Sequence, residues 1–212
     1  MKSLKQLVKD TPVYEFLRNW EVKRRWPGEL ADWERKGQPI PPPHLVKQRV
    51  LIEYAQKYNL KILVETGTCF GDMVEAMRDR FEHIYSIELS TYLHEKNVRR
   101  FKKDTHITLI QGDSGVELKK VVGKIQQPAL FWLDGHYSAG YTAKGDKDTP
   151  ICEELNYVLN AKVRGHIVII DDARCFGTDP AYPSLEELTK LVKSIRSDLK
   201  LVVKDDCIRI TP

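Results

Sequence analysis

Apolar positions along this chain alternate between two rhythms. Short, mostly apolar runs fall at residues 62–64, 84–87, 107–110, 129–133 and 166–170, the length and composition of buried strands. Between them the spacing changes to three and four. Val46, Val50, Leu51, Tyr54, Ala55 and Tyr58 precede the first run, and Val74, Met77 and Phe81 follow it. Leu118, Val121, Val122 and Ile125 follow the third run, Ile151, Leu155, Val158 and Leu159 precede the fifth, and Leu185, Leu188, Leu191, Val192 and Ile195 come after it. Each set draws one stripe on a helix, and a helix of mixed charge is expected over residues 91–103. Two last runs, 199–203 and 207–210, are separated only by Lys204-Asp205-Asp206. That is too short for a crossover, so they must pair as an antiparallel hairpin. The predicted fold is α/β: a doubly wound, Rossmann-like seven-stranded sheet, mainly parallel with right-handed crossovers and an antiparallel C-terminal hairpin.

Capping signals sharpen the boundaries. Thr11-Pro12 and Thr149-Pro150 read as cap plus first-turn proline, and Asp72/Glu75, Ser114/Glu117 and Ser184/Glu187 have capping-box spacing. Val13, Phe16, Leu17 and Trp20 begin an N-terminal helix that Trp26-Pro27-Gly28 is expected to break, with a short second helix at Leu30 and Trp33. Proline-rich residues 38–43 form a stiff connector. The chain therefore divides into a helical extension with its connector, 1–44, and a main domain, 45–212. Three of the four tryptophans lie in the extension, either to glue it to the main domain or to form part of a lid over an acceptor.

Charge narrows the partners. The 34 basic and 30 acidic residues leave +4 spread without long blocks, which argues against a nucleic-acid footprint. The four cysteines form no C-x-x-C pair and no apolar stretch reaches membrane-spanning length. Residues 1–10 do not read as a secretory leader. A cytoplasmic protein without a membrane partner is expected, and nothing in the surface pattern argues against a homodimer.

The chemistry concentrates where strands end. The first run stops at Glu65, turns at Gly67 and reaches Gly71 before the next helix, so that backbone without a Cβ faces any ligand above the turn. The second run delivers Glu88, a carboxylate able to accept from both hydroxyls of a ribose. Asp113, Asp134, Asp171 and Asp172 follow the third, fourth and fifth runs, and a doubly wound sheet gathers all six acids at one edge. The turn is not G-x-G-x-x-G, and an acid inside it would repel a pyrophosphate but welcome a cationic ligand such as S-adenosylmethionine (SAM).

With E-T-G-T-x-x-G at residues 65–71, Glu88 after the second strand and Gly112-Asp113-Ser114 after the third, residues 46–212 resemble the class I SAM-dependent methyltransferases. The resemblance implies that 45–212 is a SAM-binding methyltransferase domain. It places Glu65, Gly67, Thr68 and Gly71 around the methionine moiety, Glu88 on the ribose, and Leu89, Asp113 and Ser114 around the adenine, with Asp134 closing the cofactor contacts. Asp134 and His136 become the candidate catalytic acid and base. Asp134, Asp171 and Asp172 look like the Mg²⁺ site of metal-dependent O-methyltransferases that act on catechols and macrolide sugars, three hard oxygen donors on neighbouring strand ends. The sequence departs from the sugar enzymes at D-G-H-Y-S and in the long glycine-rich loop that follows, residues 135–148. Tyr137, Tyr141, Lys144, Arg174 and Tyr182 are candidate acceptor-pocket residues. The function expected is O-methylation of a small-molecule or saccharide hydroxyl. The alternatives are a nucleic-acid methyltransferase on the same fold, disfavoured by the absent basic stripe, and a non-catalytic module that binds the cofactor or a partner.

Overall fold

The computed structural model describes residues 11–135 and 149–212. Helices α1 (Pro12–Arg35) and α2 (His44–Lys57) lead into β1 (Ile62–Thr66). There follow α3 (Asp72–Met77), β2 (His83–Glu88), α4 (Thr91–Arg100), β3 (Ile107–Gln111), α5 (Ser114–Lys124) and β4 (Ala129–Leu133). The chain closes with α6 (Ile151–Leu159), β5 (Ile167–Ile170), a 3₁₀ turn (Ala173–Cys175), α7 (Leu185–Ile195), β6 (Lys200–Lys204) and β7 (Cys207–Thr211).

The seven strands form one sheet in the order β3-β2-β1-β4-β5-β7-β6. Six run in one direction, and β7 runs against both its neighbours, β5 and β6, as the short last connection required. Asp205 and Asp206 both adopt positive φ, 52° and 57°, which matches the twist of a two-residue hairpin. Strand order reverses between β1 and β4, so their carboxyl ends flank the crevice where such sheets bind ligands.

Successive strand residues feed opposite faces. Ile62, Val64, Phe131 and Val168 pack against Leu118, Leu155 and Leu188 of α5, α6 and α7. Leu63, Ile84, Trp132 and Ile169 pack against Leu51 of α2 and Val74 and Met77 of α3. The central strands β1, β4 and β5 are buried along their whole length, which explains their unbroken apolar runs. Edge strand β6 is mostly exposed and carries a lysine at each end, a charge pattern that discourages edge pairing.

Four local expectations need correction. The break at Pro27 does not occur, and α1 continues through it. Proline deprives the carbonyl one turn back of its donor, but Lys23 and Pro27 are exposed, where water can take that role. Tertiary contacts supply the rest: Arg18 on Asp72 at 2.8 Å, Lys23 on Glu75 at 2.8 Å, Trp26 stacked on His44 at 4.9 Å, and Leu30 buried. Asp72 caps nothing, because Gly71 occupies the N-cap of α3 at φ +75° and Asp72 binds Arg18 instead. Asp113, not Ser114, caps α5 through Gly115 N–H at 2.8 Å. At α6 the cap position falls on Pro150 rather than Thr149. The Thr11 cap and the Ser184/Glu187 capping box form as read.

Candidate functional site

The turn after β1 is sewn to β2: Gly67 and Thr68 donate to the Ile87 carbonyl at 2.9 and 3.2 Å, and Gly71 donates to Thr68 at 2.8 Å. Gly67 sits at φ +83°, with its missing Cβ aimed at the end of β4; an added methyl would lie 2.4 Å from the Asp134 carbonyl oxygen. Only glycine can close this crevice.

Behind the turn stands an acid network. Glu65 is 1% exposed and accepts a short hydrogen bond from the Ser86 hydroxyl, which in turn meets Thr68 Oγ1 at 2.6 Å. Burial pushes the Glu65 carboxyl up to about 8 against the Ser86 bond, and Asp134, Glu88 and Asp72 add like charge around it. Without a cationic guest, this acid is held neutral at pH 7. Glu88 anchors the loop, accepting from Cys69 N–H at 2.7 Å and Ser90 N–H at 2.8 Å. Its carboxyl is also raised by burial, with those two amides opposing the shift. Asp72 behaves oppositely: burial alone would raise it, but the Arg18 guanidinium holds it below the usual range. Leu89 follows Glu88, its carbonyl taking the Gln111 amide at 3.0 Å.

At the reversal point the strand ends are laddered. Asp134 N–H donates to the Thr66 carbonyl at 3.2 Å, and Asp171 N–H to the Leu133 carbonyl at 3.0 Å. This register brings Asp134, Asp171 and Asp172 together, with one carboxylate oxygen of each within 4.8 Å of the others. Sequence reasoning named all three acids but missed what lies on them. Lys47 of α2 ion-pairs with Asp171 and lies 3.8 Å from Asp172. Arg174 meets Asp172 at 2.7 Å and pairs with Asp206, so it serves this cluster. Desolvation and the Asp134 charge raise the Asp171 carboxyl, with Lys47 opposing. Desolvation would lower the Lys47 amine, but Asp171 and Asp134 outweigh it and hold it charged. Three carboxylates are the donor set of a hard divalent ion. With the ammonium seated on Asp171, such an ion does not fit without expelling Lys47.

A second missed residue is Glu154 of α6, 1% exposed. Its carboxyl faces the hydroxyls of Ser114 and Thr66, and burial raises it to about 7 despite them. Its Oε1 has no hydrogen-bond partner among the described residues. The Ser114 hydroxyl is thus turned toward Glu154, while the Asp113 carboxylate is occupied as a helix cap. Tyr182 lines the same depression as Asp134, Asp171 and Glu154. His136, Tyr137, Tyr141 and Lys144 lie outside the described residues, as do residues 1–10.

No protein-family model matches the chain, and no curated protein matches it. Solved structures do. An O-methyltransferase from Bacillus cereus in complex with SAH aligns over 97% of this chain and 94% of its own, with a TM-score of 0.58 at 13% identity. The O-methyltransferase TomG from Streptomyces achromogenes, in complex with SAM, covers 87% of each chain with a TM-score of 0.56 at 16% identity. SAH-bound methyltransferase PaMTH1 from Podospora anserina covers 100% of this chain and 97% of its own, with a TM-score of 0.55 at 16% identity. This chain has their fold. No helix among the described residues is long and apolar enough to cross a membrane.

The raised Glu65 carboxyl has a measurable consequence. A cation bound beside it favours the ionised form, so affinity for a cationic ligand at this position is expected to increase as pH rises toward about 8 and then level off. At pH 7 binding should release up to about one proton, seen as a calorimetric enthalpy that differs between phosphate and Tris buffers. Glu65→Gln should remove the buffer dependence. The stability sign follows the same linkage. A carboxyl raised in the folded state stabilises most at low pH, and that contribution is lost as pH climbs to about 8. The ligand-free melting temperature should therefore fall between about pH 4.5 and 8, with a flatter profile in the variant.

Proposed function

We propose that this chain is a SAM-dependent methyltransferase that acts on a hydroxyl of a small molecule or saccharide. The observation that carries the reading is the pair of buried carboxyls, Glu65 and Glu88, at the ends of adjacent parallel strands beside a turn that only glycine can make. The fit is electrostatic: a buried acid whose carboxyl is raised by desolvation ionises when a cation lies beside it, recovering part of its desolvation cost. Among the solved structures that share this fold are two O-methyltransferases in complex with SAM or SAH, which supports the same reading.

In this reading Glu88 accepts from the ribose hydroxyls while its backbone partners Cys69 and Ser90 hold it in place. Glu65 faces the cationic amino acid end, and Asp113, Ser114 and Leu89 border the adenine. When bound, SAM supplies an electrophilic methyl group on a positively charged sulfur. Asp134, at the strand reversal, receives the acceptor hydroxyl proton as the oxygen–methyl bond forms and the sulfur–methyl bond breaks. His136 serves as a further base from the loop beyond Gly135. Tyr182 borders the acceptor. Residues 45–212 carry the site, and α1 packs beside it.

Calorimetry with SAM and with NAD separates this reading from an oxidoreductase on a similar sheet. Binding of SAM with about 1:1 stoichiometry and silence with NAD is expected. No heat with SAM overturns it. Methyl incorporation from labelled SAM into size-fractionated extract then reports the acceptor class: label in the small-molecule fraction supports the proposal, and label only in RNA or DNA refutes it.

A further inference from the structure

The three-acid cluster raises a question that the methyltransferase reading leaves open. Two buried aspartates and a half-buried third, with facing oxygens a few ångströms apart, repel one another in a site with little water. A cation among the oxygens relieves that repulsion. In this fold the positive charge comes from the chain itself: Lys47 projects from α2, an element outside the strand-end loops, and its ammonium pairs with Asp171 beside Asp172. The lysine side chain is only 18% exposed and that of Asp171 2%, so the pair is no exposed surface bridge worth little. Arg174 closes the other side, binding Asp172 and Asp206. The placement is also specific in sequence. Lys47 precedes Val50, Leu51 and Tyr54 by three, four and seven residues, so a cation stands on the stripe of α2 that faces the sheet.

The geometry points to Lys47 as the resident cation of this site, standing where a divalent ion would otherwise bind and making the site metal-independent. An ammonium and a Mg²⁺ ion compete for the same oxygens, and the lysine is tethered, so its effective concentration is high whatever the free metal level. The magnesium ion also demands near-octahedral oxygen geometry close to 2 Å, which a lysine on one of the donors prevents. Lys47 is thus a positioning residue. It holds Asp171 and Asp172 against repulsion and fixes the wall beside Asp134, where the acceptor hydroxyl is placed by the proposed function on which this inference rests.

The test is Mn²⁺ binding by electron paramagnetic resonance on the full chain, with SAM affinity measured on the same samples. The wild type should show no stoichiometric Mn²⁺ binding up to about 1 mM, whereas Lys47→Ala and Lys47→Gln, which take the cation off Asp171, should bind one ion at least about tenfold more tightly. Adding Asp171→Asn to either variant should abolish the gained binding, and Mg²⁺ should raise the melting temperature of the lysine variants but not of the wild type. Wild-type binding of one Mn²⁺ below about 100 µM, lost in Asp171→Asn, overturns the inference, as do lysine variants that bind no better than wild type. If neither lysine variant folds, the wild-type titration decides alone by the same limits. Absence of SAM binding in the wild type would sink the methyltransferase reading without touching the cation result.

Discussion

Gly67→Ala is expected to abolish measurable SAM binding and to cost the fold about 3 kcal/mol or more. Two penalties combine. The residue sits at φ +83°, where a side chain is strained, and its new methyl would lie 2.4 Å from the Asp134 carbonyl oxygen, a backbone atom that cannot rotate away. To relieve the clash, the end of β4 must move away from the turn after β1. That movement breaks the Asp134 N–H bond to Thr66 and misplaces both the cofactor turn and the candidate base in one step. Urea unfolding and calorimetry measure the two effects separately. SAM affinity within about threefold of wild type would show that the crevice between β1 and β4 is not where the ligand sits.

Glu88→Ala should weaken SAM binding by about a hundredfold, the size of losing one or two charged hydrogen bonds to ribose hydroxyls. Part of the effect comes from the loop, because Cys69 and Ser90 lose the carboxylate that accepts their amides. Glu88→Gln separates the two contributions. It preserves an acceptor oxygen and most of the packing, so a loss of about tenfold is expected from the missing charge alone. Undiminished affinity in the alanine variant would remove Glu88 from the ribose.

How much of this was legible in the sequence differs by kind of interaction. Strands β1, β4 and β5 were plain because burial on both faces demands unbroken apolar runs, and the hairpin followed from a turn too short for anything else. The acids at strand ends were legible as a set, since the sheet fixes where each strand stops. Helix caps were harder. Asp72 and Ser114 had the right spacing, yet Arg18 claimed the first from 54 positions away and the neighbouring Asp113 claimed the cap of the second. Pro27 misled for a similar reason, because contacts of α1 with α2 and α3 outweigh a local preference.

Lys47 and Glu154 show what a pattern reading passes over. Both stand on the apolar stripe of their helix, Lys47 ahead of Val50 and Leu51, Glu154 between Ile151 and Leu155. Charged residues on such stripes are counted as noise when the stripe is used only to recognise a helix. Treated as exceptions to it, they would have marked two buried ionisable groups at the functional edge. Their partners come from the turn after β5, the end of β1 and the start of α5, and no periodicity within a helix encodes those.

The bridges from Arg18 to Asp72 and from Lys23 to Glu75 bear on how this protein can be cut and recombined. The proline-rich connector invites a truncation at residue 44, but the helix ahead of it supplies two of the cations that balance the first turn of α3, immediately behind the glycine turn. A trimmed protein would leave Asp72 and Glu75 leaning on Arg100 and Arg78, with a more negative field behind the glycine turn. Chimeras exchanging the core should therefore inherit the leading helix with it, as a single electrostatic unit.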